Sequence, residues 1–363
     1  MKFTLRRILA AALSLTLLGG TLAGCGKEDT TMESKAAETA VQGVTFTDAL
    51  GTEVQIESWD TVVSLYGSFA ETWTLAGGKL AGVTEDAIEE RNMELGDDVA
   101  MIGSVKSPSL ESILAVNPDF VILSADIATQ VDMQQALTEA GIPHAYFRVD
   151  TFEDYLSMLE LFCQMTGRSD LYEQNGALVE QKITKIKELT SGEEGPAGLL
   201  IRAFSTGAKA KGADNQTGYI MEDLGVDNIV ARHESLLEDL SIEEIITEDP
   251  DFIFITTMGA EDAALAALES GIMSNPAWEG LTAVQQDRCY VLPKDLFHYK
   301  PNARWAESYA YMAKLPTMKP AAPTTSSGNS MVRTSIPADN ILLTATPANT
   351  KVIRDAPVFA AKA

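Results

Sequence analysis

The chain is poor in the residues from which catalytic and metal centres are built. Its 363 residues include only three histidines and three cysteines. A bare transition-metal ion needs three or four His, Cys or carboxylate groups converging on one point. His144, His233 and His298 stand far apart, and only His298 is well placed, so a naked-metal receptor is the weaker alternative. No G-x-S-x-G elbow, H-E-x-x-H, P-loop or dinucleotide fingerprint occurs, and His233-Glu234 is followed by the wrong residue for a zincin. A surface enzyme is therefore unsupported, and neither a resident metal nor a cofactor is expected. Cys163 falls in a helical pattern and Cys289 in a strand pattern, without metal or redox spacing, which reads as two buried thiols. Beyond the N-terminus no apolar run is long enough to cross a bilayer. Positive charge is scarce as well: 27 Lys and Arg face 52 Asp and Glu, a net charge of −25. Such a chain repels nucleic acid.

What the sequence does have begins at its start. Lys2, Arg6 and Arg7 precede the apolar run 8–18, and small residues lead into Leu22-Ala-Gly-Cys25, the pattern of an export signal. The last four residues resemble the bacterial lipobox, which implies cleavage before Cys25, acylation of its thiol and anchoring at the membrane surface. Three of the 27 basic residues leave with the leader, so the mature chain sets 24 against 52. Residues 1–24 are thus read as signal peptide and the polar, aperiodic residues 25–42 as a flexible tether.

From residue 43 short apolar runs alternate with helical patterns. Strands are predicted at 61–65, 80–83, 120–123 and 145–147, with amphipathic helices at 109–116 and 129–140. Helical periodicity then covers 152–165 and 170–189, broken at Thr166-Gly-Arg168, and strands resume at 198–201, 252–255 and 289–292. Alternation of this kind predicts parallel sheets covered by helices. An internal repeat sharpens the reading. Ser109-Leu-Glu-Ser-Ile-Leu-Ala-Val-Asn-Pro-Asp-Phe-Val-Ile-Leu123 aligns without gaps on Ser241-Ile-Glu-Glu-Ile-Ile-Thr-Glu-Asp-Pro-Asp-Phe-Ile-Phe-Ile255. Each copy reads as a serine-capped helix, a Pro-Asp turn and a buried strand, with Ser241 and Glu244 expected to form a capping box. Two widely spaced copies suggest two similar lobes. The expected fold is α/β: two Rossmann-like lobes with central parallel sheets, at 43–150 and 197–315, each with its own core and joined by linking helices at 151–191. Beyond Leu315 composition shifts to Pro, Thr, Ala and Ser, and 316–363 is read as a mostly disordered tail, with a short edge strand near 341–344 as the alternative.

In open parallel sheets, ligands sit beyond the carboxyl ends of the strands. The residues there are Tyr66, Ser68, Arg148, Arg202, Met258, His298, Tyr299 and Lys300, with Arg304 close by. The set is aromatic and cationic in an acidic chain. Arg forks and Lys points suit carboxylate, catecholate or phosphate oxygens, while Tyr and Met offer flat apolar contact. Tyr66, Arg202, Lys300 and Arg304 are the leading candidates. His298 or Tyr299 could also serve haem iron axially.

Residues 46–315 resemble the ABC-importer solute-binding family that includes ferric-siderophore, haem and cobalamin receptors. Phe46-Thr-Asp-Ala-Leu-Gly-Thr-Glu-Val54, Ser68-Phe-Ala-Glu71, the paired Ser-x-Glu…Pro-Asp repeats, Asn275-Pro-Ala-Trp278 and Leu296-Phe-His-Tyr-Lys-Pro-Asn-Ala-Arg-Trp305 carry the resemblance. It implies a monomeric receptor in which one long helix joins two lobes that close only slightly. That receptor would deliver an iron chelate, foremost a ferric siderophore, to a permease dimer with its ATPase. Haem and corrinoid ligands remain alternatives. The resemblance also implies docking roles for Glu111 and Glu243, the matched glutamates of the repeat, which would meet arginines of the two permease subunits. A glutamate in a first helical turn also simply favours the helix dipole.

Overall fold

The computed structural model describes residues 43–190, 195–315 and 351–352. An antiparallel hairpin, β1 (Val44–Thr47) and β2 (Glu53–Ile56), comes first. Then follow β3 (Val62–Ser64), α1 (Gly67–Leu75), β4 (Gly82–Val83), α2 (Asp86–Glu89) and β5 (Ala100–Met101). A small hairpin pairs β6 (Gly103–Ser104) with β7 (Ser107–Pro108). The N-terminal half is completed by α3 (Leu110–Val116), β8 (Phe120–Ser124), α4 (Ala128–Val131), α5 (Gln134–Glu139) and β9 (His144–Phe147). Five of its strands form a parallel sheet in the order β5-β4-β3-β8-β9.

The chain leaves this sheet through α6 (Phe152–Thr166), which opens on a capping box of Thr151 with Asp154 and stops at Gly167, whose φ of 71° is left-handed. A second helical rod runs from α7 (Ser169–Tyr172) through a π turn at Glu173–Ala177 into α8 (Leu178–Thr190). At 1.5 Å per residue this rod is about 30 Å long.

The second half contains β10 (Ala197–Phe204), β11 (Gly207–Ala210), α9 (Gln216–Asp223), β12 (Asp227–Asn228), α10 (Ile242–Glu248) and β13 (Phe252–Thr257). It ends with α11 (Glu261–Ser270), α12 (Thr282–Gln285), β14 (Cys289–Val291), α13 (Lys294–Phe297), α14 (Trp305–Lys314) and β15 (Lys351–Val352). The second sheet has the order β11-β10-β13-β14-β15, with β12 also on β10. Its β12, β10, β13 and β14 are parallel, while β11 and β15 are antiparallel edges.

The two copies of the repeat occupy equivalent places, since β8 and β13 each sit inside their own sheet. Ser109 accepts a hydrogen bond from Ser112 N at 3.1 Å and Ser241 one from Glu244 N at 3.4 Å. Both helices end on a left-handed residue, Asn117 (φ 52°) and Asp249 (φ 40°), immediately before a proline that cannot continue a helix. The capping box expected at Ser241 does not form. Ser235 Oγ donates to both Glu244 carboxylate oxygens, at 2.9 and 2.8 Å, and the Ser241 N–H goes to Asp239 O. The 3₁₀ turn at Glu234–Leu237 brings that competitor in.

Successive side chains of a strand face opposite sides of its sheet. In the first sheet Val62, Phe120, Ile122, Ala145 and Phe147 face one core, and Val63, Leu65, Val121, Leu123 and Tyr146 another. In the second, Leu200, Phe252, Phe254 and Tyr290 face the first of these cores, while Leu199, Ile201, Ile253 and Ile255 face a third. One apolar cluster therefore runs from the first sheet through α6 and α8 into α14 and the second sheet. Each half also keeps a cluster of its own, so the shared one is additional to the two cores expected. The linking helices and α14 carry apolar faces that one sheet alone does not cover, and both halves fall in a single compact unit, Val41–Ala363. Cys163 and Cys289 are free and buried, and burial pushes their thiols up to about 11 and about 12.

Three predicted elements differ in detail. The 129–140 helix is two short ones, α4 and α5. The strand predicted at 198–201 extends to Phe204 because it pairs with β11. Most of the tail, 341–344 included, lies outside the described residues, yet Lys351–Val352 pair with β14, whose edge offers unpaired backbone groups.

Candidate functional site

Tyr66 lies two residues beyond β3 as the residue preceding α1, and its ring packs edge-on against Phe69 with centroids 4.9 Å apart. Its position is fixed by the next residue. Gly67 N donates to Asp86 Oδ2 at 2.7 Å, and a Cβ on Gly67 would lie 2.6 Å from Ala87 N, so only glycine fits. Asp86 also accepts from Thr84 Oγ1 at 2.5 Å, and burial raises its carboxyl above the usual range. Burial likewise pushes the Tyr66 hydroxyl up to about 12, so it stays a neutral donor.

The opposite wall comes from the second sheet. Arg202 lies inside β10, in register with Lys209 of β11 and Thr256 of β13, rather than after the strand as expected. Its Nε is buried and has no partner. Desolvation lowers its pKa, against the opposing influence of Asp214, Asp150 and Tyr66. A guanidinium so placed remains charged but has lost water that no protein acceptor replaces at Nε. From the segment after β14, the His298 ring lies 5.4 Å from that of Tyr299. Lys294 Nζ stands 5.2 Å over the Tyr299 ring and donates to Gly259 O at 2.7 Å. Lys300 Nζ reaches Asp150 Oδ1 at 3.2 Å, joining the two halves. His298 is held down to about 3, first by burial and then by the charges of Arg202, Lys294, Lys300 and Lys106. It is a neutral imidazole at physiological pH, and its buried Nδ1 has no partner.

Tyr66, Arg202, His298, Tyr299 and Lys300 are thus brought together between the sheets. Met258, 39% exposed, follows β13 beside Gly259, to whose carbonyl Lys294 is bonded. Ser68 is 2% exposed within α1; its side chain is hydrogen-bonded to that of Tyr66, and its carbonyl accepts from Asn302 Nδ2 at 2.8 Å. Two candidates are engaged elsewhere. Arg148 is paired with Asp126 at 2.6 Å, and Arg304 with Asp295 and Glu307 at 2.9 and 3.0 Å. Strand-end position in the sequence marked them without showing these partners. Lys106, Lys294 and Asp150 escaped notice because none directly follows a predicted strand. For Lys106 a signal existed, the turn-like Gly103-Ser-Val-Lys-Ser-Pro108.

Glu111 and Glu243 are both exposed in the first turns of α3 and α10. Glu243 is not wholly free, since Ser241 Oγ donates to its Oε2 at 3.2 Å. One turn on, the matched pair Leu114 and Ile246 are 45% and 42% exposed. A surface cavity of about 570 Å³ adjoins Glu243 and Ser241, and none of Tyr66, Arg202, His298 or Lys300 lines it. Among the described residues no group of three or more His, Cys, Asp or Glu is arranged to hold a metal ion.

Comparison with known proteins matches this arrangement. A family model described as periplasmic binding protein covers residues 62–296. The petrobactin-binding protein YclQ of Bacillus subtilis (strain 168) is 25% identical over 270 residues, 70% of this chain and 82% of its own. A putative ABC transporter substrate-binding lipoprotein of the same organism, YhfQ, is 22% identical over 325 residues, 85% of this chain and 97% of its own. The crystal structure of S. aureus IsdE complexed with heme superposes with a TM-score of 0.59 over 70% of this chain and 97% of that one. At 14% identity that likeness is one of fold.

Proposed function

The chain belongs to the periplasmic binding protein family, and from that premise we propose that it is the extracytoplasmic solute-binding component of an ABC importer for an iron chelate, foremost a ferric siderophore. The family consists of substrate-binding proteins, so the activity is capture and delivery, with no covalent step. The observation that carries the reading is the desolvated Arg202 of the second sheet, whose buried Nε has no acceptor, with Lys300 and Tyr299 following in the same half and Lys300 reaching Asp150 of the other. Flat apolar surface beside fixed positive donors fits a chelate with aromatic or carboxylate arms. The name of its relative YclQ supports the same ligand class.

Delivery would use Glu111 and Glu243 as docking points for the two subunits of a permease dimer, which its ATPase drives. Their equivalent, exposed positions support this, as does the exposed aliphatic neighbour each one has. Helix-dipole stabilisation explains the glutamates but not Leu114 and Ile246. Cys25, outside the described residues, would carry the lipid anchor. Haem is the second reading, favoured by one observation: a neutral His298 with an unpartnered nitrogen beside Tyr299, a side-chain type that ligates haem iron.

Titration of intrinsic fluorescence with ferric siderophores, haemin and cobalamin tests the reading. Saturable quenching by a ferric siderophore, with the ligand recovered intact, is expected. Binding of haemin alone, with a shifted Soret band abolished by His298→Ala, selects the second reading. Chemical conversion of any ligand refutes a pure receptor.

A further inference from the structure

The cavity beside Glu243 has a composition of its own. It measures about 570 Å³ and lies between the N-terminal end of α10, the C-terminal end of α11 and the start of β11. Its apolar lining continues the core of the second half: Leu268 belongs to that core, and Ala208, Leu240, Ile242 and Ile272 pack against it only half-buried. The rim is acidic. Asp239 and Glu243 are both exposed, and among the described residues neither has a Lys, Arg or His within ion-pair distance.

The first half has no copy of one wall. Glu111 and Glu243 are equivalent in the repeat, yet β11, which supplies Gly207 and Ala208 to the cavity, is an antiparallel edge strand. Among the described residues the first sheet is parallel throughout. The two proposed docking faces are therefore alike in their glutamates and unlike in what surrounds them.

The lining dictates what fits. An apolar hollow open to water gains from being covered. A long cationic side chain lays its methylenes on such a floor while its charge stays at the rim, where two carboxylates lack partners. A neutral or acidic segment covers the floor equally well but leaves Asp239 and Glu243 desolvated and unpaired.

We infer that this cavity is a socket for a basic, aliphatic loop of one permease subunit, whose Arg or Lys is received between Asp239 and Glu243. The inference rests on the delivery reading above and adds to it a contact residue, Asp239, and a difference between the halves: the second is gripped in a hollow as well as at its glutamate.

The test is photo-cross-linking in intact cells that make the protein. Benzophenone side chains are placed one at a time at Ser274 in the cavity wall, at Ala266 on α11 outside the lining, and at Leu114 and Ile246 beside the two glutamates. Ser274 should cross-link to an extracytoplasmic permease loop in which Arg or Lys stands among aliphatic residues, and Ala266 should give at least about ten-fold less, as a contact centred on one buried anchor allows. Asp239→Lys, and Ala267→Trp, which fills the cavity, should each lower the yield from Ile246 by a similar factor. Glu53→Lys, the same change of charge on the exposed face of β2, should leave it intact. Asp239 is exposed, so its replacement does not threaten folding and the test does not hang on the tryptophan variant. Permease cross-links from Leu114 and Ile246 with none from Ser274, or an Ile246 yield untouched by Asp239→Lys, overturn the socket while the delivery reading stands. Cross-links from Ser274 only to a second copy of this chain or to a soluble protein overturn it as well. Absence of a permease cross-link from all four positions overturns the delivery reading itself.

Discussion

His298 makes the stability of this protein depend on pH in a definite direction. Its folded-state pKa is about 3 against an ordinary 6.5, with burial the first cause and surrounding positive charge the second. Below pH 6.5 the unfolded chain takes up a proton that the folded protein refuses, so this contribution is complete above that pH and is lost progressively as pH falls toward 3. The slope from this one group is at most about 1.4 kcal/mol per pH unit. Urea unfolding midpoints between pH 7 and pH 4 should drop more steeply in wild type than in His298→Gln, and parallel curves would contradict the assignment. Asn302 gives a second prediction. It is buried, left-handed (φ 52°), and its Nδ2 donates to Ser68 O at 2.8 Å and to Glu71 Oε2 at 2.7 Å across the two halves. Arg91 pairs with the same Glu71. Asn302→Ala should cost about 1–3 kcal/mol in chemical unfolding, through the stranded acceptors and the strained backbone.

At the scale of elements, the matched helices α3 and α10 differ in how firmly they are capped. The Ser109 cap is 3.1 Å long and the Ser241 cap 3.4 Å. Ser109→Ala should therefore destabilise by about 1 kcal/mol and Ser241→Ala by less, as read from urea midpoints. The same helices carry the proposed docking residues. Reversing charge at Glu111 and Glu243 together should abolish iron uptake by cells while ligand affinity of the purified protein is unchanged. Normal uptake by that variant would discard the docking role. These helices and the strands behind them were legible in the sequence, because a serine cap, a Pro-Asp turn and an unbroken apolar run are local signals. β11 was not legible: Gly207-Ala-Lys-Ala210 has no alternation, and only pairing with β10 makes it a strand.

For the whole molecule, the shared apolar core and polar cross-links between the halves argue against wide opening. Besides Asn302, Lys300 bridges to Asp150, and Tyr219 OH of the second half donates to Glu153 Oε2 of the linking helix α6 at 2.6 Å. Spin labels at the exposed Glu139 and Ser270 should report one distance distribution that narrows on saturation with a bound chelate. Appearance of a second, much shorter population would mean large closure and contradict this account.

The sequence by itself determined the alternation of helices and strands, the paired repeat and the list of strand-end residues, since each depends on side chains near one another along the chain. Tertiary structure alone decided which of those residues face one another. It turned Arg148 and Arg304 to carboxylate partners, buried Ser68 in α1 against Tyr66, and tied the β6–β7 turn to Leu65 through Gln130. It also merged the inner faces of the two halves into one core around the linking helices. The physical reason is range: periodicity and capping act over a few residues, whereas charge pairing and desolvation depend on neighbours that are distant in sequence.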